Sequence, residues 1–147
     1  MKKLVHLLLI SALISGTIAC DSGSKKGSED EEKPAMVRKK RDDGTLSSIN
    51  PVDEEGYVHG VKVNFYEDGK TIHSKVTYVH GRKNGPAIWY FKDGNIHERT
   101  NFFQNRRHGI TKKYYKSGVL MEEVNYNTGE ELPGKKTYNE KGELVSH

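Results

Sequence analysis

The sequence predicts an all-β protein in which stacked β-hairpins form one extended, single-sheet solenoid. Three observations carry that reading. Pairs of glycines fence short strand-like runs: Gly60 and Gly69 around VKVNFYED, Gly85 and Gly94 around PAIWYFKD, Gly109 and Gly118 around ITKKYYKS, Gly134 and Gly142 around KKTYNEK. The first glycine of each fence recurs at spacings of 25, 24 and 25 residues, the mark of a repeat architecture. Aromatic residues hold fixed places within the period: Phe65-Tyr66, Tyr90-Phe91 and Tyr114-Tyr115, with Tyr138 alone in the last unit.

Each unit reads as a hairpin. After Gly60, Val61, Val63 and Phe65 alternate with Lys62, Asn64 and Tyr66, the two-residue period of a half-buried strand. The Asp-Gly pairs in EDGK and KDGN predict two-residue type I′ hairpin loops. On the returning strand Ile72, Val76 and Tyr78 share one side, with His73, Lys75 and Thr77 on the other. An aliphatic residue follows each second glycine (Ile72, Ile96, Leu120, Leu144), and a further aromatic comes later at Tyr78, Phe102 and Tyr126. A third marker stands at Gly81, Asn105 and Gly129. Asn tolerates the left-handed region best after glycine, so this position is expected at positive φ in the turn between hairpins. The stretch DDGTLSSINPVDEEG keeps part of the spacing through Asp43-Gly44, Leu46 and Gly56. Pro51 falls where a paired strand should run, so residues 43–56 are expected to be a degenerate unit or an edge.

The amino end differs in kind. MKK followed by an apolar run over 4–19 predicts an export signal, too short for the ~20 residues of a spanning helix. The only cysteine, Cys20, follows directly, and TIAC resembles the lipobox of bacterial lipoproteins, with Thr17 where leucine is commonest. A lone cysteine forms no internal disulfide, and lipid attachment gives it a use. Residues 20–56 are predicted to be the lipidated cysteine and a flexible tether, because a segment rich in Ser, Gly, Glu and Lys buries too little apolar surface to offset its ordering entropy. The repeat domain is placed at 57–147. The acidic run Glu29–Glu32 resembles surface-export signals of some bacterial lipoproteins, which favours the outer membrane or cell surface. Asp21, beside Cys20, favours the inner membrane in enterobacteria. Net charge is +4, and +2 once Lys2 and Lys3 leave with the signal, so nucleic acid is not an expected partner.

The glycine, aromatic pair, Asp-Gly and second-strand aromatic of GPAIWYFKDGNIHERTNFFQNRRHG and its neighbours resemble the MORN-repeat variant, over roughly residues 57–147. The resemblance implies hairpins stacked into a single-sheet solenoid whose shortened last unit serves as a cap. Bacterial proteins of this variant are often described as YwqK-family antitoxins. It therefore implies a binding protein, with neutralisation of a toxic partner as the alternative role.

No catalytic set is legible, so no enzyme activity, cofactor or small-molecule substrate is expected. The single thiol goes to the anchor, and no serine stands in a nucleophile-elbow context. His73 and His97 share a repeat position, but Met121 replaces them in the third unit and no ligand set accompanies them, so no metal is expected. His59 and His108 read as turn residues. Glu122 and Glu123, adjacent on a strand, point to opposite sides and cannot work as an acid–base couple. Trp89 shares its face with Asn64 and Lys113. With Arg99, Arg106 and Arg107 nearby it forms the candidate contact site for a protein partner. The competing expectation has Trp89 packed against Phe91 and Phe103.

Overall fold

The computed structural model describes residues 34–146. The signal segment, Cys20 and the tether before Pro34 lie outside them. Among the described residues there are twelve strands and no helix. The strands are β1 (Ala35–Lys40), β2 (Leu46–Val52), β3 (Gly60–Phe65), β4 (Ile72–Val79), β5 (Arg82–Tyr90) and β6 (Ile96–Phe103). They continue with β7 (Arg106–Arg107), β8 (Gly109–Tyr114), β9 (Leu120–Asn127), β10 (Glu130–Glu131), β11 (Lys136–Tyr138) and β12 (Leu144–Ser146). They form one antiparallel sheet in chain order, with β7 and β10 as short additions to β6 and β9. The expected all-β stack of hairpins is therefore present as a simple meander.

Two turn types alternate, and the type I′ geometry is not at the Asp-Gly pairs where the sequence suggested it. The Asp-Gly loops are type I turns closed by a left-handed glycine: Gly94 donates to Phe91 O, Phe91 donates to Asn95 O, and Gly94 alone has positive φ (+91°). The loop needs only one left-handed residue, so aspartate stays in an ordinary conformation. There its carboxylate accepts backbone N–H groups: Asp68 Oδ1 takes Lys70 N and Thr71 N at 2.9 and 2.8 Å. The type I′ geometry, with two consecutive positive φ values, occurs between hairpins instead, at His80-Gly81, Gln104-Asn105 and Thr128-Gly129. Asn105 holds φ +69° where the neighbouring units use glycine, as its substitution implied.

The fence-opening glycines lie at bulges within or beside strands. Pairing of β4 with β5 runs through Val76↔Ala87, then resumes at Tyr78↔Lys83. Asn84, Gly85 and Pro86 therefore oppose Thr77 alone. Gly85 sits at φ +112°, and an added Cβ would lie 3.3 Å from Thr77 Cβ and Cγ2. The same two-residue step recurs between β6 and β8 and between β9 and β11.

Part of the expected tether is sheet. Residues 35–52 form a hairpin in register with the rest, Arg38↔Ile49 and Ser48↔Asn64 among its pairs. Composition favoured disorder, but this hairpin uses the devices of the later units. Arg41 Nη2 reaches Phe65 O at 2.7 Å, as Tyr66 Oη reaches Tyr90 O at 2.6 Å and Tyr115 Oη reaches Tyr138 O at 2.9 Å. Pro51 is buried on an interior strand rather than an edge. Its carbonyl accepts from His59 N across the seam. A strand residue's N–H and C=O face the same neighbour, so the missing donor also faces the bulge, where no ladder bond is required.

On β4 burial falls on the side the sequence marked with Val76 and Tyr78, but on β3 it falls on the face opposite to Val61 and Val63. Val61 is 48% exposed, whereas Ser48, Asn50, Ser74, Val76, Ala87, Glu98, Thr100, Thr111 and Val124 are buried. A one-layer sheet has no second layer to cover its aliphatic residues. The covered face is instead the one whose long side chains can lie down over short neighbours. Gly85→Ala should reduce the unfolding free energy by about 2–3 kcal/mol, because it adds a contact to a positive φ. Gly94→Ala, with nothing within 4 Å of the added methyl group, should cost about 1 kcal/mol. Urea denaturation of the two variants checks the difference.

Candidate functional site

On the inner face a second-strand aromatic stands opposite each of three fence-opening glycines: Gly60 pairs with Tyr78, Gly85 with Phe102 and Gly109 with Tyr126. A cation from the following seam stands beside each of the first two, Lys83 opposite Tyr78 and Arg107 opposite Phe102. These cations lean across to the next aromatic. Lys83 Nζ is 5.0 Å from the Phe102 ring centre and Arg107 Cζ is 5.6 Å from that of Tyr126. The result is an alternating row, Tyr78, Lys83, Phe102, Arg107, Tyr126, crossing the sheet at one end of the strands.

Trp89 joins this row from the side. Its ring meets Phe102 edge-on at 6.3 Å and 61°. The Ala87↔Thr100 pair lies between them in register, so the indole must extend along the sheet above those small residues. Trp89 shares its cross-strand line with Asn64, Ser74, Glu98 and Lys113, the face the sequence assigned it. The expected packing against Phe91 and Phe103 is not formed. Phe91 stands edge-on to His97 at 4.8 Å, and Phe103, 47% exposed, lies near His108.

The four expected contact residues divide between the faces. Arg107 is beside the Trp89 row, its Nη2 donating to Glu98 Oε1 at 2.8 Å. Arg99 pairs with Ile88 and Lys112, and Arg106 with Phe103, which places both on the outer face. Adjacent strand residues point opposite ways, so Arg106 and Arg107 cannot serve one surface. The outer face instead carries a line of cations, Arg38, Lys75, Arg99, Lys112 and Lys136, interleaved with Ile49, Val63 and Ile88. Lys83, Phe102 and Tyr126 were missed as site residues. The recurrence of Tyr78, Phe102 and Tyr126 marked the aromatic row, but Lys83 and Arg107 share no residue type.

Carboxylates set the charge of each face. Glu122 Oε1 and Oε2 accept from Lys113 and Lys135 at 2.8 and 2.7 Å on the inner face. Burial is the largest single influence on Glu122 and raises its pKa, but the two ammonium groups together hold it below the usual carboxylate range. On the outer face Glu123 lies 3.1 Å from Lys112 and 3.7 Å from Lys136. The hydrogen bond from Lys112 is the main cause of its depressed pKa. Glu122 and Glu123 thus stand on opposite faces. His73 and His97 each lie edge-on to the aromatic of their own unit, Tyr66 and Phe91, both at 4.8 Å.

Residues 83–105 and 107–128 match the MORN repeat variant family model. The first matched segment is a closed unit of the structure: Asn105 N donates to Lys83 O, bonding its last residue to its first. Gly129 N likewise returns to Arg107 O, and Gly81 N to Val58 O. The resemblance read from the glycine and aromatic spacing is supported for these two units. A comparison with curated proteins finds no match.

Glu98→Gln should lower stability by about 1–2 kcal/mol by removing the charge opposite a half-buried guanidinium. Urea denaturation at neutral pH measures it. Both Glu122 and Glu123 have folded pKa values below their unfolded ones. Their contribution is therefore full above the ordinary glutamate range and is lost as pH falls through the lowered values. A Glu122→Gln, Glu123→Gln double variant should show a flatter fall in unfolding midpoint than the parent between about pH 5 and 3.

Proposed function

We propose that this protein is a non-enzymatic interaction module whose inner face, centred on Trp89, Phe102, Arg107 and Tyr126, contacts a protein partner. The observation that carries the reading is the alternating aromatic and cationic row with Trp89 lying against it. Such a row offers large, rigid contact area with fixed charge, the composition enriched at interface hot spots. Each unit contributes one aromatic, so a partner of extended shape is read over several hairpins at once. The MORN repeat match supports a repeat surface of this kind. The outer cation line is a weaker candidate, because Glu123 already engages Lys112 and Lys136.

The same reading places the module at the bacterial envelope, held by acyl chains on Cys20, most readily at the outer membrane or cell surface. The sequence TIAC supports this, and anchoring would raise the local concentration of the module at its membrane. Toxin neutralisation is a special case in which the captured partner is itself toxic.

Cross-linked capture from detergent-solubilised envelope tests the proposal. Trp89→Ala and Arg107→Ala should each weaken recovery of one partner by roughly 30-fold, as hot-spot truncation does. The outer-face variants Arg99→Ala and Arg106→Ala should leave it unchanged. Trp89 is the only tryptophan, so its fluorescence gives a direct readout of occupancy with the purified partner. Equal recovery from all four variants would remove the inner face as the contact surface.

A further inference from the structure

The first seam departs from the others in length and in chemistry. Where later seams turn in two residues, β2 and β3 are joined by a type I loop, Asp53–Tyr57, closed by Gly56 N on Asp53 O and Asp53 N on Tyr57 O. The loop brings Asp53, Glu54 and Glu55 in succession. The type I′ turn after β4 comes alongside it, tied by Gly81 N to Val58 O at 2.8 Å. That turn presents His80, whose equivalents in the next two units are Gln104 and Thr128.

These elements converge. Asp53 Oδ2 is 3.0 Å from His80 Nδ1 and 3.8 Å from His59 Nδ1. Ligand-capable atoms of Asp53, Glu55 and His80 all lie within 4.8 Å of one another. We infer that Asp53, Glu55 and His80, with His59 as fourth ligand, form a binding site for a divalent transition-metal ion of the zinc class.

Imidazole nitrogen and carboxylate oxygen together suit zinc rather than calcium or magnesium, which take oxygen alone. Ligands about 2.1 Å from a tetrahedral ion stand about 3.4 Å apart, so the present spacing must contract. Glu55, His59 and His80 are the exposed members and can rotate inward, whereas Asp53 is held. Its Oδ1 accepts Tyr57 N at 2.7 Å, leaving Oδ2 as the ligand atom. The Tyr57 ring lies 4.4 Å from that of His80 and restricts the imidazole. Support of this kind, from groups that do not touch the ion, is what sets ligand orientation. A surface hollow of about 590 Å³, lined by Asp53, His59, Val52 and Ala35, leaves the ion an approach from solvent. At the position equivalent to His59, His108 instead faces Thr128 N with its Nδ1, at 3.4 Å. No aspartate stands there.

A bound ion would staple the β2–β3 loop to the β4–β5 turn and so fasten the first hairpin to the second. Sequence reading missed the set because its members come from two turns, 53–59 and 80, with no local ligand spacing.

The test is zinc titration of the untagged full chain, with Cys20→Ser to remove the thiol, followed by calorimetry and thermal unfolding. One equivalent of zinc should bind and raise the unfolding midpoint. His80→Asn, which tolerates the positive φ at that turn, should weaken binding roughly 10–100-fold. Asp53→Asn, which keeps the acceptor for Tyr57 N, should do the same, and His73→Asn should have no effect. Cobalt substitution should give the intense visible bands of a tetrahedral site, lost in His80→Asn. Absence of saturable zinc uptake, or uptake unchanged in both His80→Asn and Asp53→Asn, would overturn the inference.

Discussion

The register step at each seam is the constraint on which this sheet depends. Between one hairpin and the next, one strand carries two more residues than its neighbour. A glycine at positive φ, such as Gly85, absorbs the excess. Continuous pairing through the seam would leave the following strand in a different register. Tyr78, Phe102 and Tyr126 stand opposite the seam glycines Gly60, Gly85 and Gly109, so the aromatic row follows the line of the seams. The bond from each left-handed turn residue to the carbonyl at the start of its own unit, as from Asn105 to Lys83, closes the unit around that step.

A single layer imposes a second economy. Among the described residues no second sheet or helix opposes it, so its inner face is covered by its own longer side chains, and what they cover is small and often polar. Ser74 accepts from Asn64 at 2.9 Å, and the hydroxyls of Thr100 and Thr111 bond to each other. Most of this burial comes with hydrogen-bond partners, as an interior with so few aliphatic residues requires, Asn50 Oδ1 being the exception. The inner-face carboxylates Glu98 and Glu122 are likewise matched by Arg107, Lys113 and Lys135.

Much of this was legible in the sequence, for reasons that also explain the failures. Glycine and asparagine at positive φ report backbone geometry directly, so the repeat, the hairpins and the turn at Asn105 were readable. The covered face of β3 was not. Val61 and Val63 alternate as core residues do, but that rule assumes a second layer, and Val61 lies open. The hairpin over 35–52 was obscured because its repeat device is an arginine, Arg41, where later units use the hydroxyls of Tyr66 and Tyr115. Grouping Arg99, Arg106 and Arg107 with Trp89 by proximity in the chain ignored the two-residue period that sends Arg99 and Arg106 to the other side. Arg107 does lie on the face of Trp89, but its ring partner, Tyr126, became visible only once the seam was built.

Because each strand pairs only with its neighbours in the chain, the sheet has a direction in which it is mechanically weak. β1 lies at the boundary, and its first residue, Ala35, pairs with Val52 at the end of the hairpin far from the loop. Tension applied at Ala35 loads one rung of the ladder at a time and peels β1 toward Lys40. The next hairpin is not engaged until the loop at 41–45 has been drawn straight. Pulled from Ala35, the described sheet yields in a series of small extensions, and the aromatic row, which begins three strands further in at Tyr78, is reached only after the first hairpin has gone.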